Sequence, residues 1–216
     1  MTINKEATNE QAILETAERL FLEKGFAMTS TTEIAKEVGC NQAMVHYYFR
    51  TKDKLFEAIF EKKIKMFVGI FLQTDEENLP FLQKLQLKIE RHFDILQENP
   101  RLPFLFFNEL TTHPERMDVL KQRLQEFPKT VFHRLNSELK IEIEKGSIRP
   151  IETIDLILSI VSLNVILFLA CPIVKKITGM SDDDFQIMLQ RRKKENVIMI
   201  INSLRPLEIL NEKCIK

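Results

Sequence analysis

Between residues 41 and 54 the chain sets out groups suited to reading a DNA duplex rather than to breaking a bond. Gln42, Ala43, Met44 and His46 combine hydrogen-bonding side chains with small apolar surface, in a stretch from Asn41 to Phe49 that carries no acidic or Lys/Arg residue. Gln pairs with adenine edges, and apolar groups touch the thymine methyl. Tyr47 and Tyr48 add hydroxyls that can bond phosphate oxygens, and Arg50, Lys52 and Lys54 then add positive charge. Lys52 falls at a helix start, where cation and backbone amides both favour phosphate. Upstream, Thr31 and Thr32 open another helical segment and offer hydroxyls and amides.

Chemistry of other kinds finds no constellation. The histidines at 46, 92, 113 and 133 lack HxxxH and HExxH spacing, and the shared helix face of Glu109 and His113 supplies only two ligands. Neither a Gly-rich phosphate loop nor GxSxG occurs. The expectation is therefore no enzyme, no cofactor and no metal. Cys40, Cys171 and Cys214 are odd in number and far apart, without CxxC spacing, which fits a reduced, cytoplasmic compartment. The opening MTINKEATNEQ is polar and has no apolar signal region.

The elements that position these residues read as helices. Thr8 and Gln11 form a capping box for a first helix with Ile13, Ala17, Leu20 and Phe21 on one face, and Gly25 ends it. Ser30 and Glu33 form a second box, for a short helix over Thr31–Val38 that Gly39 stops. Asn41 caps a helix through Phe49, and Thr51 caps the next, with Asp53 favourable in its first turn. Two short helices joined by a Gly-containing turn make a helix-turn-helix, and Ile34, Val38 and Val45 can form its core. Further on come a helix over about Pro80–Glu98 and a Phe-rich stretch at Phe104, Phe106 and Phe107. A helical region over Pro114–Lys145 follows, which Pro128 must kink or split. Two long helices end the chain, one from Pro150 to Ile177 and one capped by Ser181 with Asp182, Asp183 and Asp184 in its first turn.

Composition permits this and restrains it. The chain has 216 residues, 44% of them hydrophobic, enough for a substantial core. Lys and Arg (31) equal Asp and Glu (31), and the first 65 residues are also balanced. That balance counts against a nucleic-acid binder, which usually carries a basic surface, so the case for DNA rests on local arrangement. It is also the one feature favouring the other reading, a helical small-molecule binding protein whose helix-turn-helix is vestigial. Leu156–Val174 runs without a charge for about the length of a bilayer span. With Ser159, Ser162, Asn164 and Pro172 inside it, it reads as a buried helix, and no membrane is expected.

Residues 10 to 60 closely resemble the DNA-binding domain of the TetR/AcrR family of regulators. The resemblance is carried by Ile13, Ala17, Leu20, Phe21, Gly25 and Phe26, by Thr31-Thr32, Ile34-Ala35 and Gly39, and by His46-Tyr-Tyr-Phe49 with Lys52, Lys54 and Leu55. It implies an all-α protein: an N-terminal three-helix helix-turn-helix unit (1–51), a connecting helix (52–74) and a larger C-terminal helical ligand-binding and dimerisation domain (75–216). By the same resemblance, base contacts fall on Gln42, Ala43, Met44 and His46, with Thr32 near the groove. Phosphate contacts fall on Thr31, Tyr47, Tyr48 and Lys52. Many relatives carry Gly or Pro-Thr where this chain has Ala43-Met44, and Tyr where it has His46, so the operator cannot be borrowed. The implied protein is a homodimeric regulator of double-stranded DNA, a repressor that releases a palindromic operator when a small, largely apolar ligand binds.

The C-terminal block supports part of this by itself. Val165–Cys171 and Val197–Ile201 are apolar around the whole helix, and such helices need cover on two sides. A partner subunit is the simplest second cover, which puts Val165, Phe168, Val197 and Ile201 at a dimer interface. His92, Phe93, Phe104, Phe107, Asn108 and Asn164 are candidates for lining a largely apolar pocket with a few polar points.

Overall fold

The computed structural model describes residues 3–70, 78–124 and 127–206. Every regular element among them is a helix: α1 Ile3–Lys24, α2 Thr31–Val38, α3 Gln42–Phe49, α4 Lys52–Gly69, α5 Phe81–Glu98, α6 Leu102–Thr112, α7 Glu115–Leu124, α8 Phe127–Glu144, α9 Thr153–Thr178 and α10 Asp182–Ser203. The start of α1 lies upstream of Thr8, because Lys5, Glu6 and Ala7 are good helix formers with no breaker among them. The Pro114–Lys145 region is split into α7 and α8, with Pro128 in the first turn of α8, where its missing N–H is tolerated.

The chain forms two compact units, Met1–Met66 with Arg101–Gln125, and Phe67–Pro100 with Glu126–Lys216. Helices α6 and α7, grouped with the C-terminal block on sequence, thus pack with α1–α4. In the first unit α1 packs on α2, α3 and α6. Its core is aromatic: Phe21, Phe26, Phe56, Phe60 and Phe106 form a chain of tilted and edge contacts with centroids 4.1–6.0 Å apart. Ile13, Ala17 and Leu20 of α1 bury against this unit together with Ile34, Ala35 and Val45, as their helical spacing demands.

In the second unit α5, α9 and α10 pack on one another and α8 packs on α9. Two apolar clusters fill it. One joins Phe81, Leu85 and Ile89 to Leu156, Ile160, Val197 and Ile200, and the other joins Phe93 and Leu96 to Phe168, Phe185 and Leu189. A buried polar group ties the three helices together. Asn164 donates to the Ile89 carbonyl (3.1 Å) and to His92 Nδ1 (3.1 Å), and its Oδ1 accepts from Asn196 (2.9 Å). Burial pushes the His92 imidazole down to about 4, so it stays neutral and its Nδ1 can accept.

Candidate nucleic-acid interface

Local chemistry sets α2 and α3 at their angle. Ser30 Oγ accepts from the Glu33 amide (3.1 Å), while the Glu33 carboxylate pairs with Lys24 instead of returning to Ser30, so half of the expected capping box forms. At the other end Gly39 sits at φ 78°, and the amides of Gly39 and Cys40 close onto Lys36 and Ala35. This left-handed stop needs glycine. Asn41 Oδ1 then accepts from Met44 N–H (2.9 Å) and starts α3. Val45 and Phe49 bury the inner face of α3, and each side chain contributes about 1.5–3 kcal/mol.

With that face fixed, Gln42, Ala43, His46 and Tyr47 are exposed, and Met44 and Tyr48 are half-buried. Thr32 is exposed and Thr31 partly so, at the first turn of α2. Three of these residues form one hydrogen-bonded group. Gln42 Nε2 donates to Thr31 Oγ1 (3.1 Å) and lies 3.3 Å from His46 Nε2, and His46 Nδ1 lies 2.9 Å from the Arg50 carbonyl. The Tyr47 and Tyr48 rings meet edge to face at 5.2 Å. Arg50 has φ 63° and ψ −53°, and Thr51 N–H closes on the Phe49 carbonyl at 2.6 Å. That is a tight γ-turn of the strained hand, bounded on its far side by Thr51 Oγ1, which caps α4 at Lys54 N–H (3.1 Å).

Lys52 is placed differently from its expected phosphate role. Its ammonium donates to the carbonyls of Phe26 (2.9 Å) and Thr29 (3.0 Å), stands 3.5 Å from that of Ala27, and lies 4.2 Å from the Phe26 ring centroid. It therefore clamps the turn from which α2 starts. A second cation in this unit went unnoticed in the sequence. Arg116 of α7 stacks on Phe26 (4.0 Å) and Phe56 (4.8 Å), and pairs with Glu109 (2.5 Å) and Asp53 (2.9 Å). A basic residue on a short helix of mixed charge carries no sequence signal for such a contact.

The six candidate pocket residues are divided between the two units, three in each. His92, Phe93 and Asn164 are buried in the second unit, with Phe93 against Phe168 at 5.4 Å and Asn164 bonded to His92. Phe104 (63% exposed), Phe107 and Asn108 lie on the open side of α6 in the first unit. Two expected dimer residues are also corrected: Phe168 and Val197 point into the second unit's own core, while Val165 and Ile201 are only partly exposed. The outward apolar residues are Ile154, Leu158, Val161, Ile166, Ile173 and Ile177 on α9, with Ile187, Ile198 and Met199 on α10. At 100° per residue the six on α9 fall on one broad face, opposite Leu156, Ile160 and Asn164. By length and composition α9 is also the one helix among the described residues that could cross a membrane.

A trihelical unit with capped α2 and α3 and an outward polar face on α3 defines a helix-turn-helix DNA-binding protein. Residues 13–59 match the family model for bacterial regulatory proteins of the tetR family. The uncharacterised HTH-type transcriptional regulator YvkB of Bacillus subtilis (strain 168) is 30% identical over 131 residues, 57% of this chain and 67% of the relative. The fatty acid metabolism regulator protein of the same organism is 24% identical over 137 residues, 63% of this chain and 69% of the relative. The chain thus spans about two thirds of the length of these relatives. A crystal structure of the transcriptional regulator FadR from Bacillus subtilis in complex with stearoyl-CoA shares the fold, with TM-score 0.63, 19% identity, and 90% of this chain and 99% of that one covered. The chain belongs to the TetR family and is a DNA-binding transcriptional regulator. Its relatives are regulators, not enzymes.

Proposed function

We propose that this regulator is a cytoplasmic, dimeric repressor that binds a palindromic operator and leaves it when a small, largely apolar molecule binds. The observation that carries the DNA reading is the outward face of α3 beside the first turn of α2, held by two caps and two buried anchors. In this reading Gln42, Ala43, Met44 and His46 face base edges and Thr32 lies near the groove. Thr31, Tyr47 and Tyr48 bond phosphates, and Lys52 supports them from behind.

The outward apolar faces of α9 and α10 support a two-fold dimer. A second copy suits them better than lipid, because Asp155, Ser159 and Ser162 are exposed on the same side of α9. A two-fold pair would present two recognition helices one DNA turn apart, about 34–36 Å, or a multiple of it. For the ligand, the fatty acid regulator among the relatives and the stearoyl-CoA held by FadR make a long-chain acyl thioester the first candidate.

The test is selection of bound duplexes from a random pool at rising salt, followed by stearoyl-CoA titration of the recovered complex. A palindrome whose affinity falls steeply with salt, and which stearoyl-CoA or another acyl thioester releases, is expected. A folded protein that enriches no sequence would contradict the operator reading. An operator complex indifferent to every acyl thioester would contradict the ligand class.

A further inference from the structure

We infer that His46 sets what Gln42 reads, leaving its amide as an acceptor only, so that the α3 reading face selects bases with an exocyclic amino group in the major groove. This inference rests on the proposed role of α3 as the recognition helix.

The argument is one of donors and acceptors. The Arg50 carbonyl, 2.9 Å from His46 Nδ1, can only accept, so Nδ1 carries the imidazole proton. In the neutral ring Nε2 is then an acceptor, and its neighbour at 3.3 Å must be the Gln42 amide nitrogen rather than its oxygen. The same nitrogen donates to Thr31 Oγ1 at 3.1 Å. Both amide hydrogens of Gln42 are thereby engaged, and Oε1 is left on an exposed side chain with no partner among the described residues. A free glutamine reads adenine bidentately, accepting from N6 and donating to N7. Held in this bracket, Gln42 has no hydrogen for N7. Its oxygen accepts equally from adenine N6 or cytosine N4, and it disfavours guanine and thymine, which present acceptors there.

The anchor of the bracket is stiff. Arg50 sits in the γ-turn that joins α3 to α4, closed by the 2.6 Å bond from Thr51 to Phe49. His46 holds the carbonyl of that turn while Asn41 fixes the other end of α3. His46 is thus a positioning residue for Gln42, and Thr31 is its second holder.

The experiment is duplex selection with position-resolved base preferences for the wild type and for Gln42→Ala, Gln42→Glu and His46→Phe, each checked for helical content. Gln42→Ala identifies the base that Gln42 reads by flattening one position in each half-site. At that position the wild type is expected to accept adenine and cytosine within about threefold. Gln42→Glu, an acceptor by nature, keeps the same pair at lower overall affinity. His46→Phe frees one amide hydrogen and narrows the choice to adenine by roughly five- to 150-fold, the discrimination of a bidentate pair. The inference is overturned if the wild type already demands adenine and Gln42→Glu shifts it to cytosine, or if a folded His46→Phe leaves the profile unchanged. If His46→Phe does not fold, the wild-type and Gln42→Glu profiles decide alone. A wild type that enriches no sequence fails the recognition-helix reading itself, whereas an operator with no position sensitive to Gln42 fails only this inference.

Discussion

Replacing Lys52 by methionine separates two roles that a lysine at this position can have. The stem is retained and the ammonium is removed, together with its donation to the carbonyls of Phe26 and Thr29 at 2.9 and 3.0 Å. Hydrogen bonds from a charged donor contribute about 1.5–3 kcal/mol each, and the contact with the Phe26 ring adds about 0.5–1 kcal/mol. Lys52 is half-exposed, so water replaces part of what is lost. The expected cost is about 2–3 kcal/mol, which lowers the urea midpoint by about 1 M at an m-value of about 2–3 kcal/mol/M. Operator affinity should fall as well, because the turn that starts α2 loosens, but its salt dependence should not change. A lysine on a phosphate behaves oppositely: its loss makes the log–log salt slope shallower by about 0.9 per protomer and leaves folding unaffected. Urea unfolding and a salt series on one operator measure both quantities. Unchanged stability within about 0.5 kcal/mol, with a slope shallower by that amount, would refute the clamp.

Three further outcomes follow from the packing. Arg116→Met strands the Glu109 carboxylate, which is 6% exposed, and should cost about 3–5 kcal/mol in urea unfolding; adding Glu109→Gln should recover a good part of it, and a loss under 1 kcal/mol would count against the pair. His92 sits near 4 when folded against an ordinary 6.5, so its contribution is fully present above pH 6.5 and is lost as pH falls towards 4. That loss is about 3 kcal/mol; His92→Gln should flatten the stability profile across this window, and parallel profiles for variant and wild type would argue against it. Leu158→Asp, on the outward face of α9 and 57% exposed, should leave helical content intact while sedimentation shows monomer in place of dimer. A dimer of undiminished strength would move the interface elsewhere.

What the sequence disclosed depended on how local the deciding physics was. Ser30, Gly39, Asn41 and Thr51 act on residues within one helical turn or one tight turn, and each takes the role its type suggests. The outward set on α3 follows once Val45 and Phe49 are assigned inward. Lys52 and Arg116 show the opposite case. Their partners, Phe26 and Thr29 for one, Phe26, Phe56 and Glu109 for the other, are mostly distant in sequence, and only the fold brings them close. Phe93, expected to line a pocket, and Phe168, expected at a dimer seam, meet in the second unit's core, because an apolar residue's type does not say what it packs against. On α9 the apolar run hides which side is inward. The choice is made by α5 and α10, whose Ile89 carbonyl and Asn196 amide meet Asn164. The bracket on Gln42 was equally invisible, since residues 31, 42, 46 and 50 signal it only after α2 and α3 are set at their angle.

Dimethyl sulfate interference on the recovered operator tests most directly whether α3 reads the major groove. It methylates guanine N7 in that groove and adenine N3 in the minor one. The account predicts interference from N7 in two patches on one face of the duplex, one helical turn apart or a multiple of it, with little effect of N3. Interference confined to N3, or N7 interference without that spacing, would contradict it.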